Sequence, residues 1–395
     1  MLQLTEEEMK VGTEKMKFTI HRDQFVQSVQ HVSKAISPRT TIPVLTGIKI
    51  EASFDGVTLT GSDSDISIES FIPKEDEELQ LVDIEVPGSI VLPARVFAEI
   101  VKKLPESTIE VIVSDQMTTT LKSGSSVFNL NGLDPEEYPR LPEIEEENVF
   151  KLPTDLLKNI IRQTVFAVST VETRPILTGV NWSIEDGRLT CTATDSHRLA
   201  MRYAKVETNT AGLSFSNVVI PGKSLNELNK ILDDQDEWID IIVTDNQILF
   251  KAKNLLFFSR LLDGNYPATK NMIPTQSKTG VTLDTKKFLQ AIERALLLSR
   301  DGKNNVVNLK TMENGNLEIT SVTPEVGKVT EDVTCLEFTG EELRISFNGK
   351  NIIDALRVID STEVKIDFTG AMSPFVLKPQ EHDYMLHLFS PVRTY

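Results

Sequence analysis

Two periodicities alternate along the chain. At 3.6-residue spacing, Phe25, Val29, Val32 and Ile36 fall on one face of a helix predicted over about 22–34, and Leu156, Ile160, Ile161 and Val165 do the same over about 154–165. The same reading places helices over about 93–103, 221–232, 284–299 and 349–359. Between them, short stretches alternate apolar and polar residues, as from Val57 to Thr60 and from Ile109 to Val113. Asp55-Gly56, Asp186-Gly187 and Asn314-Gly315 supply tight turns. Each helix has about four such strands beside it, which predicts an α+β architecture with antiparallel sheets.

The pattern repeats. FTIHRDQF, RTTIPVLTGIKI and GVTLTGSDSDISI, in the stretch starting at Phe18, match FKLPTDLL, ETRPILTGVNW and GRLTCTATDSHRLA, in the stretch starting at Phe150. An offset of about 132 residues pairs Phe18 with Phe150, Leu45 with Leu177, Gly47 with Gly179 and Asp63 with Asp195. Further on, SIVLPARVFAEIVKKL and FNLNGLDPEEYPRLP match NVVIPGKSLNELNKIL and FSRLLDGNYPATKNMIP, with Pro93 opposite Pro221 and Pro139 opposite Pro267. A third, more divergent copy opens at VTLDTKKFLQAIERALLLS and runs to the C-terminus. Polar, turn-rich seams at Glu143–Asn148 and Pro274–Gly280 divide the chain into domains at 16–143, 149–274 and 279–395. Residues 1–15 lie outside the repeat and read, from their acidic composition, as a disordered extension.

Charge adds a second layer. The chain carries a net charge of −17, which by itself argues against a polyanionic partner. The predicted helices nevertheless each tally to about +1 or +2, so the acid is concentrated elsewhere. Arg39, Lys102, Lys103, Lys158, Arg162, Lys223, Lys286, Lys287, Arg294 and Lys350 are the candidates for phosphate contacts on duplex DNA. Such contacts carry no sequence information.

Candidate catalytic chemistry is thin. Asp195, Ser196 and His197 contain the ingredients of a hydrolase triad, but triad members meet through the fold rather than as sequence neighbours, and no nucleophile elbow is present. The sequence contains no P-loop, dinucleotide-binding or HExxH motif, and its five histidines are scattered singly. No cofactor, metal or catalytic residue is therefore expected. Cys191 and Cys335 lie far apart in apparent strands and read as reduced core residues. No apolar run approaches the roughly 18–20 residues of a membrane span, and a cytoplasmic protein is the expectation.

From Met16 to Tyr395 the chain resembles the bacterial DNA polymerase III beta subunit, or beta sliding clamp, family. The resemblance rests on MKFTI, RTTIPVLTGI, LDPEEYPRLP, TRPILTGV, TATDSHRLA, VIPGKSLNEL, LLDGNYP and the terminal SPVRTY. It implies a non-enzymatic processivity factor: a head-to-tail homodimer forming a six-domain ring around duplex DNA. It also implies partners: the DNA polymerase III alpha subunit, a clamp loader, repair polymerases, mismatch repair proteins and DNA ligase. In such proteins a pocket between the second and third domains receives a Gln-Leu-x-Leu-Phe-like peptide.

The matching pocket positions are Arg174, Ile176 and Leu177, then Thr194, Asp195, Ser196, His197, Arg198 and Leu199, then Pro267 and Met272. Met372, Pro374, Leu388, Ser390, Pro391, Val392 and Arg393 complete the set from the last domain. Leu177, Leu199, Met272 and Val392 would bury the peptide's Leu and Phe, with His197 and Arg174 fixing its orientation. Ser390 stands where the family usually has an apolar residue, and the RTY ending extends past the tail of some relatives. The resemblance places Phe128 and Leu130 of one subunit against Leu297 and Leu298 of the other. The competing expectation is a repeat-built peptide-binding scaffold that does not encircle DNA, and a third is an enzyme using Asp195 and His197.

Overall fold

The computed structural model describes residues 14–77, 79–141, 149–208, 210, 212–233, 237–299 and 305–393. Its α-helices are α1 (Arg22–Val32), α2 (Ala94–Lys103), α3 (Thr154–Val165), α4 (Gly222–Ile231), α5 (Thr285–Ala295) and α6 (Gly349–Leu356). Asp284 caps α5 by accepting from the Lys287 N–H, and Asn348 caps α6 by accepting from Lys350 and Asn351. α5 is shorter than its apolar run because Leu296–Ser299 tightens into a 3₁₀ turn.

On α1, Phe25, Val29 and Val32 are buried, as their spacing predicts, and Ile36, past the helix end and a 3₁₀ turn at Ser33–Ala35, is half-buried. On α3 the inward residue is Leu157 rather than Leu156. Leu157, Ile160, Ile161 and Thr164 form the true face, and Thr164 is tolerated there because its hydroxyl donates to the Ile160 carbonyl at 2.7 Å. The first strand runs Glu14–His21, so it begins two residues ahead of Met16. Residues 1–13 of the expected extension and the expected seam at Glu143–Asn148 lie outside the described residues. Cys191 is buried, whereas Cys335 is half-buried and lies between strands rather than in one; both are free thiols.

The described chain divides into two compact units. One holds the residues up to Val149 together with Asp233–Arg260; the other holds Phe150–Leu232 and Leu261–Tyr395. The second repeat is thus shared between them, because sheets run across the repeat seams. In the first unit, Leu255–Arg260 pairs antiparallel with Ile66–Pro73, with Leu255 opposite Ser70 and Ser259 opposite Ile66. In the second, Arg198–Lys205 pairs with Met385–Phe389, with Leu199 opposite Leu388.

That second pairing joins the strands of two repeats into a nine-stranded sheet. Its order is 215–221, 179–185, 188–194, 198–205, 385–389, 375–379, 363–368, 279–284 and 337–340. Within this unit α3 packs on α4 and α5 on α6; in the other unit α1 packs on α2. Phe347, Phe368, Phe375 and Phe389 fill the core of the third repeat, with neighbouring ring centroids 5.1–5.6 Å apart.

Gly179 shows why the repeated TG pair is needed. A Cβ there would sit 2.7 Å from Val219 Cγ1 and 2.8 Å from the Ile220 carbonyl oxygen of the adjoining strand. Gly179→Ala is expected to cost about 1–3 kcal/mol of unfolding free energy by overpacking, read as a lowered urea midpoint with unchanged slope.

Candidate functional site

The repeat offset that pairs Asp63 with Asp195 pairs two copies of one turn. Asp63 Oδ1 accepts from the N–H groups of Asp65 (3.1 Å) and Ile66 (2.9 Å); Asp195 Oδ1 accepts from those of His197 (2.9 Å) and Arg198 (3.0 Å). Ser64 and Ser196, between them, have φ of 78° and 76°. An aspartate opens this turn because its short carboxylate reaches the backbone two and three residues on. The carboxylate of Asp195 is therefore occupied by its own turn and by Arg198 Nε at 3.1 Å. It does not orient His197, whose side chain is exposed, and the triad reading has no geometric support.

The turn closes one end of a cleft of about 470 Å³ in the second compact unit. Its lining is Arg174, Leu177, Thr194, Ser196, His197, Arg198, Leu199, Pro267, Met272, Pro374, Leu388 and Ser390, all among the sequence-predicted positions. Leu199 and Leu388 form the floor because they are directly opposed on adjacent strands and project from one face of the sheet. Behind them pack Met201, Val376 and, half-buried, Tyr203, Ile273 and Leu386.

Arg174 Nη1 donates to Ser196 Oγ at 3.3 Å across the rim, and the Ser390 N–H donates to the His197 carbonyl at 2.9 Å. Met272 is 50% exposed at the mouth, which leaves an adaptable thioether free to meet a ligand. Ile176, Asp195, Met372, Pro391, Val392 and Arg393 do not line the cleft. The Val392 N–H donates to the Ser346 carbonyl at 2.7 Å, and the apolar lining from the end of the chain is Leu388 in the floor.

Several structural supports lack any local sequence signal. The Thr194 N–H donates to Tyr266 Oη at 3.0 Å, and burial pushes the Tyr266 phenol well up from its usual range. Arg198 reaches away from the cleft to Asp354 on α6 and to the Phe166 carbonyl at the end of α3. His387, beside Leu388 on the same strand, is fully buried, with no hydrogen-bond partner for either ring nitrogen among the described residues. Burial, reinforced by the nearby Arg198 charge, lowers its pKa to about 3.

Of the candidate phosphate contacts, Lys102 and Lys103 lie on α2, Lys158 and Arg162 on α3, Lys223 on α4, Lys286, Lys287 and Arg294 on α5, and Lys350 on α6. Arg39 lies in the loop after α1. Arg162 pairs with Asp360 at 2.8 Å, and Arg294 makes a two-pronged pair with Glu331. Lys103 is within 3.5 Å of Glu99. With the observed bounds, α1 carries Arg22 against Asp23 and α6 carries Lys350 against Asp354, so both are neutral. The basic bias resides in α2 to α5.

Phe128 (40% exposed) and the half-buried Leu130 lie on Ser126–Asn131, an edge strand of its sheet. Leu297 (52% exposed) and the half-buried Leu298 lie in the 3₁₀ turn after α5, packed beside another edge strand, Gly327–Val333.

Among the described residues no helix is long and apolar enough to cross a membrane. Models of the N-terminal, central and C-terminal domains of the DNA polymerase III beta subunit match residues 16–142, 151–268 and 270–393 in that order. The beta sliding clamp of Halalkalibacterium halodurans is 69% identical over 380 residues, covering 96% of this chain and all of that protein; the Bacillus subtilis one is 60% identical with the same coverage. The crystal structure of the Bacillus subtilis DNA polymerase sliding clamp superposes with a TM-score of 0.94 over 96% of this chain and all of its own. A sliding clamp from Pseudomonas aeruginosa solved bound to griselimycin is 28% identical, with the same coverage and a TM-score of 0.89. With three domain matches in chain order and relatives this similar along their whole length, the chain belongs to the DNA polymerase III beta subunit family.

Proposed function

We propose that the protein is a DNA polymerase processivity factor: two chains joined head to tail close a ring around duplex DNA, slide along it and tether the replicative polymerase. The observation that carries this reading is the match of three domains in chain order, at 16–142, 151–268 and 270–393. The cleft supports it. An apolar floor of Leu199 and Leu388, a rim of Arg174, Ser196 and His197, and an exposed methionine suit a short peptide with two bulky apolar residues. The alpha subunit, the clamp loader, repair polymerases, mismatch repair proteins and DNA ligase are partners of the kind that would carry such peptides.

The chain acts by topology rather than by catalysis. A closed ring raises the effective concentration of its partner at the primer end, and sequence-indifferent phosphate contacts let it move. Lys102, Lys286, Lys287 and Lys350 are exposed and serve that role better than Arg162 and Arg294, whose charges are paired; Lys223 is exposed as well. The half-buried Lys158 and the Glu99-paired Lys103 contribute less. A ring on the chromosome places the protein in the cytoplasm, at the nucleoid.

The test is retention on circular against linearised plasmid after ATP-dependent loading by a clamp loader, at salt high enough to screen phosphate binding. Retention on circles and loss from linear ends is expected. A second reading, a peptide-binding scaffold, draws on the acidity of the chain and predicts retention on neither, under conditions that load a control clamp.

A further inference from the structure

We infer that Asp354, on α6 and outside the cleft, is a positioning residue that holds the peptide-receiving rim in place through Arg198. The inference rests on the reading of the cleft as a peptide site and names a residue on which that site depends. The starting observation is the difference between the two copies of the turn. Both have the same aspartate, the same two backbone hydrogen bonds and the same left-handed serine. The first copy, however, continues with Ile66, which is 1% exposed, and the second with Arg198, whose side chain is 12% exposed. The turn therefore folds with an aliphatic residue at this position. Burying a guanidinium there instead costs desolvation that folding does not require, and it does so only in the copy that borders the cleft.

The guanidinium is held on three sides. Nε donates to Asp195 Oδ2 at 3.1 Å, Nη1 to Asp354 Oδ2 at 2.7 Å, and Nη2 to the Phe166 carbonyl at 2.7 Å. Its Cζ lies 5.3 Å from the centre of the Phe166 ring. Asp195 belongs to the turn itself and Phe166 ends α3, so of the three acceptors around the guanidinium Asp354 is the one from the third repeat, adding a side-chain tie to the backbone pairing already there. Each nitrogen of Arg198 already has an acceptor, so Arg198 acts as a wall fixed by its partners. With Asp195, Asp354 supplies the charge that makes the buried cation tolerable, and it sets the distance between rim and α6.

The test compares the full-length wild type with Asp354→Ala, Asp354→Glu, Arg198→Ile and the Arg198→Ile/Asp354→Ala double variant. A fluorescein-labelled Gln-Leu-Ser-Leu-Phe peptide reports binding, and hydrogen exchange of residues 194–199 reports the rim. Asp354→Ala is expected to weaken the peptide about tenfold and to speed exchange of the His197 and Arg198 amides. Asp354→Glu should recover part of the loss, and the double variant should bind no worse than Arg198→Ile. Binding of Asp354→Ala within twofold of wild type, unchanged rim exchange, or additive losses in the double variant would overturn the inference. Failure of the wild type to bind the peptide would instead overturn the reading of the cleft, and the inference with it.

Discussion

Leu297→Asp is expected to convert the protein from a dimer to a monomer at micromolar concentration. Leu297 is 52% exposed in the free subunit, so a carboxylate there changes subunit stability by no more than about 0.5 kcal/mol. Against Phe128 and Leu130 of a second chain the same carboxylate would be buried without a partner, at about 3 kcal/mol. A two-subunit head-to-tail ring has two identical interfaces, so the substitution acts twice, for about 6 kcal/mol, or roughly four orders of magnitude in Kd. Sedimentation velocity over a dilution series reads this directly, as a shift from twice the 44.2 kDa chain mass to the chain mass itself. Phe54→Asp, at a hairpin tip that is 67% exposed, is the control and should leave the dimer intact. A Leu297→Asp protein that stays dimeric would move the interface elsewhere.

What could be read from the sequence follows the range of the interactions involved. Helices and turns were legible because their signals are local: the spacing of Phe25, Val29 and Val32, and the carboxylate of Asp63 or Asp195 two and three residues from the amides it accepts from. Errors of one residue arose where a polar side chain could satisfy itself within the helix. Thr164 does so, and the inward face of α3 consequently runs through Leu157 instead of Leu156. The charge of α1 and α6 was overcounted because Lys34 and Arg357 lie just beyond their ends.

The cleft was legible only through resemblance. Its floor depends on Leu199 and Leu388 being opposed across two strands far apart in the chain, and antiparallel pairing at that distance leaves no local trace. Asp354 and Phe166 were invisible for the same reason, since nothing in either segment announces a guanidinium arriving from elsewhere in the chain. The internal repeat did carry one non-local message. Ile66 and Arg198 occupy the same place in the same turn, and the exchange of an aliphatic for a cation marks the copy that borders the surface of the cleft.

The second large effect lies directly behind that surface. His387 is fully buried, its ring 5.5 Å from that of Phe166 and 6.4 Å from that of Phe389, with Arg198 as the nearby charge, itself held by Asp195 and Asp354. Its folded pKa is lowered to about 3 from the ordinary 6.5. Above pH 6.5 the imidazole is neutral in both states and pH has no hold on it. Below pH 6.5 the unfolded chain takes up a proton that the folded chain refuses until about pH 3, so stability falls as pH falls through that window. At about 1.4 kcal/mol per pH unit, going from pH 7.0 to 5.0 should remove about 2 kcal/mol on this account alone. His387→Phe keeps an aromatic ring of similar size and cannot be protonated. Urea unfolding of both proteins at the two pH values isolates the group, since the carboxylates are common to both. A fall smaller by about 2 kcal/mol in the variant is the expected result, and parallel falls would mean that the buried imidazole is solvated or hydrogen-bonded in solution.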